Sequence, residues 1–199
     1  MAFNPCMMDY DVLPPIWLAL LERDLGAASR LIEDGAALDD IIEEDGNTLL
    51  HVAARDGDVE MVEFFLNYDC PITLEQFDYI QETPLIGAAE NGRTEVVVLL
   101  LSARVNPNAH DEDHIGNTAI REAVRGGHRE IVALLLRAGA DPTIPGWMNV
   151  SAVDQAWGSV AGTRQVIREI RGMFRQFPSQ VRDRQDQQNK QTRRPDERS

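Results

Sequence analysis

Apolar and polar positions follow one scheme in three places along the chain. Val59-Glu-Met-Val-Glu-Phe-Phe-Leu66, Thr94-Glu-Val-Val-Val-Leu-Leu-Leu101 and His128-Arg-Glu-Ile-Val-Ala-Leu-Leu-Leu136 cluster their apolar residues three and four apart, which predicts helices that bury one face. A shorter helix is predicted ahead of each. It opens at Thr48, Thr83 or Thr118, carries a small Ala five positions later (Ala53, Ala88, Ala123) where a neighbouring helix can approach closely, and ends near a Gly. Gly57, Gly92 and Gly127 suit a left-handed backbone at that helix end, so each marks the turn of an antiparallel pair.

The pair recurs with a fixed step. Thr48, Thr83 and Thr118 lie 35 residues apart, as do Gly57, Gly92 and Gly127, and Glu60, Glu95 and Glu130. A period of this size predicts a stacked solenoid. Such a rod offers an extended surface and no enclosed cleft, which favours recognition of a partner over chemistry.

Thr48-Leu-Leu-His51, Glu130-Ile-Val-Ala-Leu-Leu-Leu136 and Ala138-Gly-Ala-Asp141 are the residues on which the chain closely resembles the ankyrin-repeat family. The resemblance spans roughly residues 14–174. It implies an all-α solenoid of about five stacked helix-turn-helix units with β-finger loops, near residues 14–44, 45–79, 80–114, 115–147 and 148–174. Two departures from the family pattern stand out. Only His51 keeps the family histidine, with Ile86 and Arg121 at the equivalent places, so a bond that braces the turn is expected to be lost there and those units to be softer. The family period is 33, so the 35-residue steps imply longer fingers in Asn67–Gln81 and Ser102–Asn117, whereas Ser151, 33 residues after Thr118, returns to family spacing.

The ends read as caps. Ile16–Leu21 and Asp24–Ala36 form a degenerate first unit, with Arg23 where the turn Gly belongs, and a terminal repeat with one neighbour can diverge in this way. Ser151–Ala156 begins the last unit. Thr163–Phe174 closes it as an amphipathic helix with Val166, Ile167, Ile170 and Phe174 inward and its arginines toward water. Residues 1–13 are an extension. Residues 175–199 are polar and too poor in large apolar side chains to offset the entropy of ordering, which predicts a disordered tail.

Charge is divided unevenly. Residues 1–163 carry 9 Arg against 28 Asp or Glu, and residues 164–199 carry 10 Arg or Lys against 5 acids. An acidic body repels phosphate backbones, so no nucleic acid is expected as a partner, and a basic protein surface is the better match. No run of about 18 uncharged apolar residues and no basic leader occurs, so neither a membrane nor secretion is expected and the cytoplasm is the predicted location. Cys6 and Cys70 are read as free thiols. His110-Asp-Glu-Asp-His114 could in principle hold a metal, but its spacing fits no rigid ligand set and a solvated acidic loop explains it. No nucleophile elbow, phosphate-cradling Gly loop, paired-cysteine motif or His-Glu-x-x-His arrangement is present, so neither an enzyme nor a cofactor is predicted.

In the family, partners bind the finger tips and the exposed positions of the inner, first helix. Carried to this chain, those positions are Glu44, Asp45, Asn47, Arg55 and Asp56, then Tyr79, Ile80, Glu82, Glu90 and Asn91, then His114, Ile115, Asn117 and Arg125, and finally Trp147 and Met148. Trp147 is the leading anchor, with packing against the neighbouring finger as the alternative; Phe77 and Tyr79 share that ambiguity. The expected function is a non-enzymatic adaptor or regulator, monomeric when unbound, that grips a protein on an acidic concave face. Two other readings stay open. One is a dedicated inhibitor, such as an immunity protein neutralising a basic toxin or nuclease. The other is an effector acting in a host cell, suggested by a single Lys190 against 18 arginines, a skew that base composition explains equally well.

Overall fold

Each unit begins with a side chain that satisfies the free N–H groups of a helix start. The computed structural model describes residues 15–36, 47–68, 74–110, 117–146, 149–158 and 164–176. In it Thr48, Thr83 and Thr118 sit in extended backbone, and their hydroxyls accept from the N–H of His51, Ile86 and Arg121. Ser151 does the same for Asp154 at 3.2 Å, and Asp154 returns the bond to the Ser151 N–H at 3.0 Å. The helices so started are α3 (Leu49–Asp56), α5 (Pro84–Glu90), α7 (Ala119–Gly126) and α9 (Ala152–Gly158). Their partners are α4 (Val59–Asn67), α6 (Thr94–Ser102), α8 (Arg129–Arg137) and α10 (Arg164–Gln176), and α1 (Pro15–Leu21) pairs with α2 (Leu25–Glu33) ahead of them.

The turns meet the expectation for left-handed backbone. Gly57, Gly92 and Gly127 have φ of 83°, 70° and 74°, and Arg23, the substitute in the first unit, is forced to 61°. Gly57 and Gly92 carry a second constraint, because the next unit fills the space beside them. A Cβ on Gly57 would stand 2.8 Å from Arg93 Cδ, and one on Gly92 would stand 2.6 Å from His128 Cε1. Arg93 Nε donates to Arg55 O at 3.0 Å, and His128 Nε2 meets Glu90 O at 3.1 Å. Both side chains therefore tie one unit to the C-terminal end of the preceding inner helix. Asp24 and Asp58 at the same helix starts cap their own helices instead, through Ala27 N and Met61 N. Asp58 also pairs with Arg23 at 2.9 Å, so the seam is continuous in the first step as well.

Stacking follows from the buried stripes. α3, α5, α7 and α9 pack in succession as an inner row, and α4, α6, α8 and α10 as an outer row. Ala88 and Ala123 are fully buried and Ala53 nearly so, as are Val62, Val97, Val132, Leu100 and Leu135. Each leucine buried to this degree contributes about 1.5–3 kcal/mol. Among the described residues no strand is formed; an isolated antiparallel bridge joins Pro145 and Ser151.

Three expectations need correction or completion. Arg121 does not simply lose the family bond: buried in its unit, it donates to Asn117 Oδ1 and to Glu122 Oε1, a local brace of another kind. Ile86 replaces that brace with burial, at 1% exposure. In α10, Ile170 and Phe174 point inward as expected, but Arg171 does not face open water. Its Nε donates to Ala156 O at 2.9 Å, and its guanidinium lies 5.6 Å from the centre of the Trp157 ring, which itself stacks on Phe174. α10 also runs to Gln176, two residues into the stretch assigned to the tail. The N-terminal extension, residues 177–199, both cysteines and the side chains of Val166 and Ile167 lie outside the described residues.

Candidate functional site

The finger between α4 and α5 is shaped by one aspartate. Asp78, whose side chain is fully buried, accepts through Oδ1 from the N–H of Ile80 at 3.0 Å and of Glu82 at 2.9 Å. Its own N–H donates to Glu82 O, and the Gln81 N–H donates to Asp78 O, both at 3.0 Å. Gln81 completes the reversal at φ 62°. Tyr79 and Ile80 stand at the tip of this closed turn and remain 61% and 46% exposed.

The finger is fastened to α3. Arg55 reaches Asp78 Oδ2 at 3.0 Å, and His51 Nε2 meets Gln76 O at 2.9 Å and Glu82 O at 3.1 Å. On the other side of the ring, the Thr48 N–H donates to His51 Nδ1 at 3.2 Å. The neutral imidazole with its proton on Nε2 satisfies all of these at once. Burial lowers the His51 pKa, outweighing the nearby Asp78 carboxylate and the two carbonyls that would raise it.

Arg55, Glu90 and Arg125 occupy the same position of successive inner helices and give a row of alternating charge. Arg125 bridges Glu90 and Glu122, and Glu122 is also met by Arg121. Beside this row Glu82 is 6% exposed, and its Oε2 has no hydrogen-bond partner. Burial first, then the Glu90, Asp78 and Glu122 carboxylates, push its pKa up to about 7, with only Arg55 acting against them.

The predicted surface positions therefore divide. Tyr79, Ile80, Asp56 and Asn91 are exposed, and Arg125 is exposed but paired. Arg55 and Glu90 are half-buried in ion pairs, and Asn117 is engaged by Arg121. Asn47 and Glu82 are corrections: both are buried, at 7% and 6%. They share the position just before the cap threonine, where the finger turns into the helix layer and carries the side chain inward. Glu44, Asp45, His114, Ile115, Trp147 and Met148 lie outside the described residues. Asp78, Arg93 and His128 were missed in the sequence. The signal for Asp78 was an Asp at the start of a tight turn; for the other two it was a bulky polar residue directly after the turn Gly.

Among the described residues no group of His, Cys, Asp or Glu is placed to hold a metal ion, and no helix is long and apolar enough to cross a membrane. His110 Nδ1 meets Asn108 O at 2.7 Å, and the rest of its acidic cluster is outside the described residues. The family model for ankyrin repeats in three copies matches residues 74–145, and that for ankyrin repeats in many copies matches residues 31–81. No curated protein matches the chain. With its repeats in phase, its helices paired and stacked, and these matches running through the central units, the chain belongs to the ankyrin-repeat family.

Proposed function

We propose that this protein is a non-enzymatic adaptor or regulator whose inner helical row and finger tips grip a partner protein with a basic surface. Ankyrin repeats generally mediate protein–protein interaction. The observation that carries the residue-level reading is the finger tip: Tyr79 and Ile80 are exposed large apolar side chains on a backbone already fixed by Asp78, Arg55 and His51. Apolar groups held in place lose little further entropy on binding, and a central tyrosine of this kind is a typical site of concentrated interface energy. A formal charge of −14 steers cationic surfaces toward the chain. Steering draws on the exposed Asp56, Glu63 and Glu95, since Asp78, Glu90 and Glu122 already have arginine partners.

The test is capture of partners by the immobilised full-length chain, comparing wild type with a Tyr79→Ala, Ile80→Ser variant that retains its helical circular dichroism. The double variant is expected to weaken the captured complex by about thirtyfold or more, the equivalent of about 2 kcal/mol. Undiminished capture by the folded variant overturns the assignment.

A further inference from the structure

The inner row holds an arithmetic mismatch. Around Glu82 the finger and the inner helices gather the carboxylates Asp78, Glu82, Glu90 and Glu122 and the arginines Arg55, Arg121 and Arg125. Arg55 takes Asp78, Arg121 takes Glu122, and Arg125 takes Glu90 and Glu122. Glu82 is the one carboxylate of this set left without an ion pair, and its Oε2 is buried without a hydrogen-bond donor. A neutral acid costs less there than a carboxylate, which would meet the charges of Asp78, Glu90 and Glu122.

Glu82 is also where the finger is hinged. Its N–H and C=O close the turn on Asp78, its C=O receives His51 Nε2, and the next residue, Thr83, already caps α5. Between Gln76 and Glu82 the bonds that fasten the finger to α3 are polar, and the apolar side chains at its tip point outward. A segment fastened in this way opens at lower cost than the packed helices around it.

We propose that the Glu82 carboxyl is a proton-controlled latch on the finger of residues 76–82, holding it down on α3 while protonated and letting it lift into water once ionised. The groups facing Glu82 from the packed elements are Asp78 of the finger, Arg55 and His51 of α3, Glu90 of α5 and Glu122 of α7. Closed, the carboxyl titrates at about 7, whereas the solvated value is 4.5. The Glu82 contribution to the open-to-closed ratio therefore climbs about tenfold per pH unit between those values, by roughly a hundredfold or more in total, and levels off above about 7. Tyr79 and Ile80 ride on the same segment, so the grip on a partner loosens as pH rises through this window. That consequence depends on the proposed function; the latch itself can be tested with no partner present.

The experiment is amide hydrogen exchange on the full-length chain at pH 5 and pH 8, corrected for intrinsic exchange, in wild type and Glu82→Gln. Lifting carries Asp78 and the amides it holds into water, and expected is a loss of protection at Ile80, Gln81 and Glu82 from pH 5 to pH 8 that is roughly hundredfold greater in wild type than in Glu82→Gln, the opposing His51 titration being common to both. These amides should also exchange at least tenfold faster at pH 8 than Val97 and Leu100 of α6. Equal pH dependence in the two proteins overturns the proposal. So does exchange of the finger no faster than that of α6, because opening would then be global. Should Glu82→Gln fail to fold, the wild-type 13C carboxyl resonance of Glu82 decides: it must titrate in step with finger protection, and titration out of step contradicts the latch.

Discussion

At the residue scale, two buried titratable groups act on stability in opposite directions. The Glu82 pKa is raised in the fold from 4.5 to about 7, so its contribution is full below 4.5 and is lost as pH rises through about 7. His51 is lowered from 6.5 by burial, so its contribution is present above 6.5 and is lost as pH falls below that. Glu82→Gln removes the first effect while keeping the shape of the side chain. In urea unfolding it should be more stable than wild type at pH 8 by about 2–3 kcal/mol, and the gap should shrink toward pH 4.5. A gap independent of pH would show that Glu82 does not sit protonated in the fold.

Helix starts and turns show what short sequence can specify. The threonine caps, the glycines with positive φ and even the strained Arg23 follow from chemistry within a few residues of each position, and all were legible in the chain. What was not legible depends on contacts across units. Asn47 and Glu82 looked like surface positions because nothing local reveals that the finger turns inward before the cap. Arg171 looked solvated because its aromatic neighbour, Trp157, sits on another helix. Arg93 and His128 looked like ordinary helix-start residues, yet they give up local capping to bond the preceding unit. Asp58 retains the local cap on α4, and Asp58→Ala should cost about 1 kcal/mol in thermal or denaturant unfolding. Its bond to Arg23 is half-exposed and adds little.

For the whole molecule, stability is carried by interfaces between neighbouring units rather than by one central core. Leu100 is fully buried in the outer row, so Leu100→Ala opens a cavity at the junction of two units. A loss of about 2–5 kcal/mol in denaturant unfolding is expected. The same stacking that buries the stripes lines up α3, α5, α7 and α9 along one flank, with the finger of Asp78 fastened to α3, and the proposed recognition lies there. The most direct test is site-specific photocrosslinking of the full-length chain, with the crosslinking residue placed at Tyr79 or Asn91 on that flank and at Val98 or Arg137 on the outer row. A partner joined from Tyr79 and Asn91, and absent from Val98 and Arg137, is the predicted result; a partner joined only from the outer row would contradict it.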